Sequence, residues 1–516
     1  MKKTIFLFIL FVITACNIKS DNYKLEIIHT SDLHSHLFPF NVYGDCEIDD
    51  EICLGGFARI TSLMKEKINK NPNVLIFDTG DRFSGTSYYT LTKGRYIIQS
   101  IAKMPYTAYT FGNHEFDEGT EEAEKFVQSM PFPAVASNLK FVSSDILKNK
   151  VKTSIILSKK GRKIGVIGVV TDEISPLGLQ KSNITISDIA QSVQNEVNIL
   201  KNKGIDIIIL LSHIGIDEDI ELANNIKDID IIVGGHSHTL LSNDENVVSA
   251  YGNYPIIVEN ENKTLISATG MGGQYIGNLN VIFDKNGNII KFSGDTIPVN
   301  SEIKNDRIVK DIILSARENL KEILNQKIAT TNKDIAFTKD KDFCSQECEV
   351  GELITSVLLG AFPNVDAVML NSGGIRSSFA KGDILYNNLA QVYPYDSKVI
   401  IAELTGNEIK NFVQHGISNF LPDERTNAML QTAGIEYSFS QKTKKIISIS
   451  MNGKKIEEDK IYRVLTNKYI AEGGDGFPQI SNYIEIEESM RDIIRQQFHK
   501  IQHIDFIAEK RIKTID

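Results

Sequence analysis

Tryptophan is absent from the 516 residues, proline occurs only 12 times and cysteine only 5 times. Such scarcity excludes a collagen-like chain and a small disulfide-knotted scaffold. Positive charge is not in excess: 56 Lys and Arg against 66 Asp and Glu leave a formal charge of −10. Sequence-independent binding to nucleic acid needs a basic surface, so no nucleic-acid polymer is expected as a partner. Long hydrophobic runs are missing as well. The apolar stretch at the N-terminus, Ile5 to Ile13, has nine residues, whereas a membrane-spanning helix needs about 20. There is no internal repeat and no low-complexity tract, which removes solenoids and disordered tails. What remains is a globular composition, 42% hydrophobic and 24% charged, in a chain long enough for two or three domains.

The first residues carry an address. Met1-Lys2-Lys3-Thr4 is basic, the apolar run follows, and Ile13-Thr14-Ala15-Cys16 resembles a bacterial lipobox. This pattern predicts a lipoprotein signal peptide over residues 1–15 and a lipidated linker over 16–23 that begins at Cys16. Stable anchoring takes more than one acyl chain, as a bacterial lipoprotein has. The expected location is the cell envelope, facing periplasm or exterior, with the membrane touched through the N-terminal lipid only.

Export permits disulfides, and the other four cysteines form two local pairs. Cys46 and Cys53 bracket an acidic stretch, Glu47 to Glu51, expected as an exposed loop. Cys344 and Cys348 lie four apart. On a regular helix their Cβ atoms would be about 5–6 Å apart, more than the roughly 3.8 Å of a disulfide, so a bridge there implies a turn. No C-x₂-C spacing supports a zinc site made of these residues.

Along the chain, short β-rich runs alternate with helical segments. Lys24 to Asp32, Val74 to Phe77, Ile164 to Val170, Ile205 to Leu211 and Ile229 to Val233 read as strands. Gly56 to Ile68, Gly119 to Met130 and Ile189 to Lys203 read as helices. This alternation predicts a layered α/β domain over residues 24–300. Asp306 to Gln326 places Ile308, Ile312, Ile313, Ala316, Leu320, Ile323 and Leu324 at helical spacing, a linker helix within 301–334. A second α/β region, 335–516, has a helix near Glu352 to Phe362 and strands at Asp366 to Leu370 and Lys398 to Leu404.

Most of the first-half strands end in the same chemistry. Asp32-Leu33-His34, Gly80-Asp81, Gly112-Asn113-His114-Glu115, Ser212-His213 and Gly234-Gly235-His236-Ser237-His238 each follow an apolar run. In α/β sheets ligands sit in the crevice beyond the strand ends. Of ten His, His29 is expected inside a strand, His36 in a loop, and His415, His499 and His503 on helix or surface. The five others all stand beside Asp, Asn or Gly, the pattern of a divalent metal centre. Asp81 could bridge two ions about 3.5–4 Å apart. Asp32, His34 and His238 would then serve one ion, and Asn113, His213 and His236 the other. Mixed nitrogen and oxygen donors favour zinc, manganese or iron. His114 cannot easily face the metals if Asn113 does, so it is free for acid–base work, with Asp117 three residues on to orient it.

Taken in order, Asp-x-His, Gly-Asp, Gly-Asn-His-Glu, His and Gly-His-x-His resemble the calcineurin-like metallophosphoesterases. Gly55-Gly56-Phe57-Ala58-Arg59, Gly112 to Asp117 and Ala136-Ser137-Asn138-Leu139 narrow the likeness to the 5′-nucleotidase family. Asn371-Ser372-Gly373-Gly374-Ile375-Arg376 and Gly473-Gly474-Asp475-Gly476-Phe477 resemble that family's nucleotide-binding domain. The resemblance implies a four-layer α/β/β/α metal domain, a linking helix and a mobile C-terminal α/β substrate domain. It implies a two-metal phosphoesterase that hydrolyses extracytoplasmic nucleotides to nucleoside and phosphate through a water bridging the ions. By position, Asp32, His34, Asp81, Asn113, His213, His236 and His238 match metal ligands, and His114 and Asp117 match the catalytic pair. Asn371 and Arg376 match phosphate contacts, Tyr395 and Tyr469 the two aromatics around the base, and Asp475 the carboxylate on the ribose. Arg suits phosphate because its planar fork donates two parallel bonds.

One departure stands out. Family members often carry a further phosphate-binding Arg just before the helix that opens near Gly351. Here Phe343 to Gly351 holds no Lys or Arg, and Glu347, Glu349 and Glu352 make the segment acidic. Lys339 or Lys341 is the available substitute. Without one, less charged substrates gain ground: a 2′,3′-cyclic nucleotide or a nucleotide-sugar diphosphate. A thiosulfohydrolase-type enzyme would keep the same site. A non-catalytic surface-binding lipoprotein would have lost a ligand or the catalytic His, and neither is missing.

Overall fold

Successive side chains of a strand point to opposite faces, and this parity sorts the core. In the strand Tyr23–Thr30, Leu25 and Ile27 join one buried cluster while Ile28 joins another. In Ile207–His213, residues Ile207, Ile209 and Leu211 share the cluster of Leu25 and Ile27. Ile208 and Leu210 pack the other way, with Val193, Val197 and Leu200 of the helix Ile189–Asn202 and Leu222 of the helix Ile216–Asn225. Two sheets therefore meet face to face with helices outside each, the expected four-layer α/β/β/α order. The computed structural model that shows this describes residues 22–117, 119–174, 184–259, 263–337, 347–395, 397–418 and 429–515. Cys16, Lys339, Lys341 and Cys344 lie outside the described residues.

The first sheet has seven strands. Four consecutive parallel pairings join Tyr23–Thr30, Leu75–Asp78, Ala108–Tyr109, Ala134–Val135 and Val151–Lys152. Tyr275–Phe283 and Ile289–Pro298 close it antiparallel on the other side. In the six-stranded second sheet, Arg162–Val170, Ile207–His213, Ile231–Val233 and Lys263–Ser267 run parallel. The strands that carry the chemistry thus end along one edge.

The linking helix spans Arg307–Leu324, capped by Asp306, whose Oδ1 accepts from the Val309 amide at 3.2 Å. Its buried stripe is Val309, Ile313, Ala316, Leu320 and Leu324, all within the core of the first domain. Ile308 and Ile323, counted in the apolar face by spacing, are instead 54% and 44% exposed. They flank a stripe narrower than their hydrophobicity suggested.

The second domain is built on a five-stranded sheet in the order Leu430–Ala433, Ala367–Asn371, Ile461–Asn467, Lys398–Thr405, Tyr483–Ser489. Parity repeats: Val368 and Leu370 face the helices Glu349–Ala361 and Met490–Ile501, while Ala367 and Met369 face the helix Gly406–Ser418. Cys46 and Cys53 are disulfide-bonded. Arg59 staples their loop by donating to the carbonyls of Cys53, Ile48 and Asp50 at 2.8, 3.2 and 2.7 Å. Cys348 sits just before the helix Glu349–Ala361 with an extended backbone.

Candidate metal centre

The loops beyond the strand ends are laced to one another before any side chain acts. The Asp32 amide donates to the Gly80 carbonyl at 3.0 Å and the His34 amide to the Asp81 carbonyl at 2.9 Å. Asp32, His34, Asp81, His236 and His238 all adopt positive φ, between 41° and 76°. For residues with a Cβ this backbone is costly, and it persists only where the surroundings over-determine it. The glycines allow the crowding: a Cβ at Gly112 would sit 2.1 Å from Asp81 Oδ1, and one at Gly235 3.1 Å from Asp32 Oδ2 and 3.0 Å from His213 Nδ1.

Three groups of metal-type ligand atoms result: Asp32, His34 and His238; Asp81, His213 and His236; and His34, Asp81 and His114. The first two gather His and Asp residues that the sequence reading placed around separate ions, and the third adds His114, which that reading kept off the ions. His34 Nε2 and His238 Nε2 face each other at 2.9 Å, and the Asp32 carboxylate lies 3.7 Å from His238 Nε2. His213 Nδ1 lies 2.6 Å from the Thr79 carbonyl, which can only accept. That bond fixes the tautomer and leaves Nε2 as a lone-pair donor, 3.2 Å from Asp81 Oδ2. The same Asp81 oxygen is 3.8 Å from His34 Nε2 and 3.9 Å from His114 Nε2, a central position suited to a shared ligand.

The donor set fits a divalent cation. Asn113 Oδ1 and His213 Nε2 are buried without a hydrogen-bond partner, a costly state that a cation would relieve. Burial pushes the Asp32 carboxyl up to about 6, with His213 opposing and Asp81 adding to the rise.

His114 stands at the rim, its Nδ1 2.7 Å from Asp117 Oδ2. Its amide donates to Asp81 Oδ1 at 2.9 Å, and its Nε2 lies 3.9 Å from Asp81 Oδ2. Burial disfavours the imidazolium, but Asp117 and Asp81 outweigh it and hold the pKa well above the ordinary value. Glu115, left without a role by the sequence reading, accepts from the amides of Asp81 (3.0 Å), Arg82 (2.7 Å) and Gly112 (2.6 Å). Arg82, fully buried, pairs with Asp78 at 2.5 Å and Glu115 at 3.6 Å. The motif Gly-Asn-His-Glu was a signal for Glu115; nothing adjacent in sequence signalled Arg82.

The second domain brings its own strand ends to this rim. Tyr395 stacks on His114, ring centroids 5.6 Å apart at 20°, and the Arg376 guanidinium lies 5.5 Å from the Tyr395 ring. Burial and then the Arg376 charge hold His36 at about 3, so this loop histidine, stacked on Phe40, is neutral. His29, inside the first strand, bonds Tyr254 Oη at 2.8 Å. Asn371 and Asn467 end neighbouring parallel strands and are bonded at 2.9 Å. Asn371 Nδ2 donates to Asp475 Oδ2 at 3.0 Å, and Tyr469 Oη to Asp475 Oδ1 at 2.7 Å. Among the expected substrate residues, Asn371, Tyr469 and Asp475 thus form one bonded set, and Arg376 and Tyr395 another. His415, assigned no role from sequence, bonds the Asp475 carbonyl at 2.8 Å.

The acidic segment has a different use from the one its charge suggested. Glu347 accepts from the amides of Arg511 and Ile512, and Glu352 from those of Glu509 and Lys510. Glu349 bonds Lys333 and the Ala336 amide. All three carboxylates hold backbone within their own domain.

Residues 25–240 match the calcineurin-like phosphoesterase family, and residues 327–482 match the 5′-nucleotidase C-terminal domain. A 5′-nucleotidase of Diplobatis ommata is 30% identical over 499 residues, covering 89% of this chain and 84% of that protein. An apyrase of Anopheles gambiae is 30% identical over 486 residues with the same two coverages. The crystal structure of a 5′-nucleotidase precursor from Thermus thermophilus superposes with a TM-score of 0.87 at 27% identity, covering 96% of this chain and 100% of that one. With its two-sheet calcineurin-like phosphoesterase domain and its 5′-nucleotidase C-terminal domain, the chain belongs to the 5′-nucleotidase family of metal-dependent phosphoester hydrolases.

Proposed function

We propose that the protein hydrolyses nucleoside 5′-phosphates to nucleoside and phosphate outside the cytoplasm, with two divalent ions at the strand-end cluster. The observation that carries this reading is the stacking of Tyr395 from the second domain on His114 beside Asp81, which joins an aromatic and arginine set to the metal-type cluster. Asp32, His34 and His238 would hold one ion, Asn113, His213 and His236 the other, and Asp81 both. Nitrogen and oxygen donors together favour zinc, manganese or iron. When bound, such ions supply an activated water and polarise the phosphoryl oxygens.

The chain's own residues do the rest. Asp117 accepts the Nδ1 proton of His114 and stabilises the imidazolium, so that Nε2–H can donate to the phosphoryl or leaving oxygen. Arg376 offers its fork to the phosphate, and Asn371 adds an amide donor. Tyr395 and Tyr469 stack on the base. Asp475 takes the ribose hydroxyls in exchange for its bonds to Tyr469 and Asn371. The glutamates near residue 350 are engaged within their own domain, so what favours a cyclic nucleotide or a nucleotide sugar as the second reading is the absent arginine and not the acidic charge. Residues 24–300 act as the metal domain and 335–516 as the substrate domain. The lipid on Cys16 holds both at the cell envelope, and Cys344 pairs with Cys348.

Phosphate release from AMP, other nucleotides, a cyclic nucleotide, a nucleotide sugar and p-nitrophenyl phosphate, with and without Mn²⁺ or Zn²⁺, tests this. Monophosphates should be cleaved only with metal, across several bases, because stacking discriminates bases poorly. Tyr469→Ala should raise KM for AMP roughly 10- to 100-fold while p-nitrophenyl phosphate loses less, since stacking is worth about 1–3 kcal/mol. Unchanged AMP kinetics in that variant would move the substrate away from nucleotides.

A further inference from the structure

Beside the second-ion group lies an acid that the reading above leaves idle. Glu173 follows the strand Arg162–Val170, whose last residue pairs with His213. The turn is fixed: the Thr171 amide donates to the His213 carbonyl at 2.8 Å, and the Glu173 amide to Thr171 Oγ1 at 3.2 Å. Ile174, 3% exposed, anchors the next position. From this turn the Glu173 carboxylate reaches His236 Nε2 at 3.0 Å. The His236 amide is taken up separately by Asp32, at 3.1 and 3.2 Å. With Nε2 committed to Glu173, Nδ1 is the ring atom left for an ion shared with Asp81 and His213. Carboxylates bonded to the far nitrogen of a ligating His fix its ring and raise its basicity, and losing one typically costs 10- to 100-fold in metal affinity.

We propose that Glu173 is a positioning residue that holds the His236 ring with Nδ1 toward the Asp81–His213 pair and so sets the affinity of the second ion. The inference rests on the two-ion reading of the centre.

Calorimetric titration of the metal-stripped full chain with Mn²⁺ tests it, alongside Glu173→Ala and Glu173→Gln. Wild type should bind two ions. In Glu173→Ala one ion should bind as in wild type and the other roughly 10- to 100-fold more weakly, with the melting temperature of the metal-free protein unchanged. Glu173→Gln keeps an acceptor oxygen and should recover part of the loss. Wild-type affinity for both ions in Glu173→Ala overturns the proposal and leaves the two-ion reading intact. Equal losses in the two variants, or weakening of both ions with a lower melting temperature, overturn it too. A wild type that binds fewer than two ions overturns both readings together.

Discussion

His114 and Asp81 touch the same cluster but answer to different tests. Asp81 Oδ2 is central, whereas His114 stands at the rim with Asp117 behind it. His114→Ala should therefore leave the ions bound and cut turnover roughly 10²- to 10⁴-fold, the worth of acid–base assistance. Metal analysis and kinetics on one preparation check this; loss of metal along with activity would make His114 a ligand instead. At this scale the residues that come together at the cluster were legible because five histidines recur at strand ends. Arg376, Tyr395, Tyr469 and Asp475 were legible only by resemblance, since spacing gives an isolated Tyr or Arg no chemistry. Glu173 was not legible, because the His236 it meets is brought to it by another strand, and Arg82 was not, because its burial between Asp78 and Glu115 shows only in the fold.

The buried strands announced themselves as unbroken apolar runs, and Ile207–His213 feeds both layers of core. Ala108–Tyr109, Ala134–Val135 and Val151–Lys152 did not, for two residues make no run. One strand pair offers a pH test remote from the metals. Asp230, just before Ile231–Val233, accepts from the Ile208 amide of the neighbouring strand at 2.8 Å, and burial pushes its carboxyl from 3.8 up to about 8. Between these values the folded chain keeps a proton that the unfolded chain has lost, so this group's contribution to stability falls as pH rises from about 4 to about 8. Asp230→Asn should flatten that slope in denaturant unfolding at pH 5 and pH 8; an identical slope would contradict it. The C-terminal strand Ile512–Ile515 depends on Arg511, whose buried guanidinium donates to the Thr432 carbonyl at 2.6 Å and Ser356 Oγ at 2.7 Å. Arg511→Ala should cost about 3 kcal/mol, from lost charged hydrogen bonds and stranded acceptors, without changing metal content. Wild-type unfolding in this variant would show the tail to be dispensable.

Across the whole molecule, two domains with separate cores share one working edge. Ser377 Oγ and the Ser378 amide both donate to the Val42 carbonyl, and Ser87 Oγ bonds Asn387, so the C-terminal domain is docked onto the N-terminal one. The docking brings Tyr395 to His114. The domain order was legible in sequence, but this contact was not, because nothing in either half encodes the other's orientation. The central claim is that the strand-end cluster works only with two ions in place. The direct measurement is phosphate release from AMP by metal-stripped protein as Mn²⁺ or Zn²⁺ is added in known ratio to the chain. The rate should stay near zero without metal and level off at two equivalents. A plateau at one equivalent, or full activity in the stripped protein, would contradict the account.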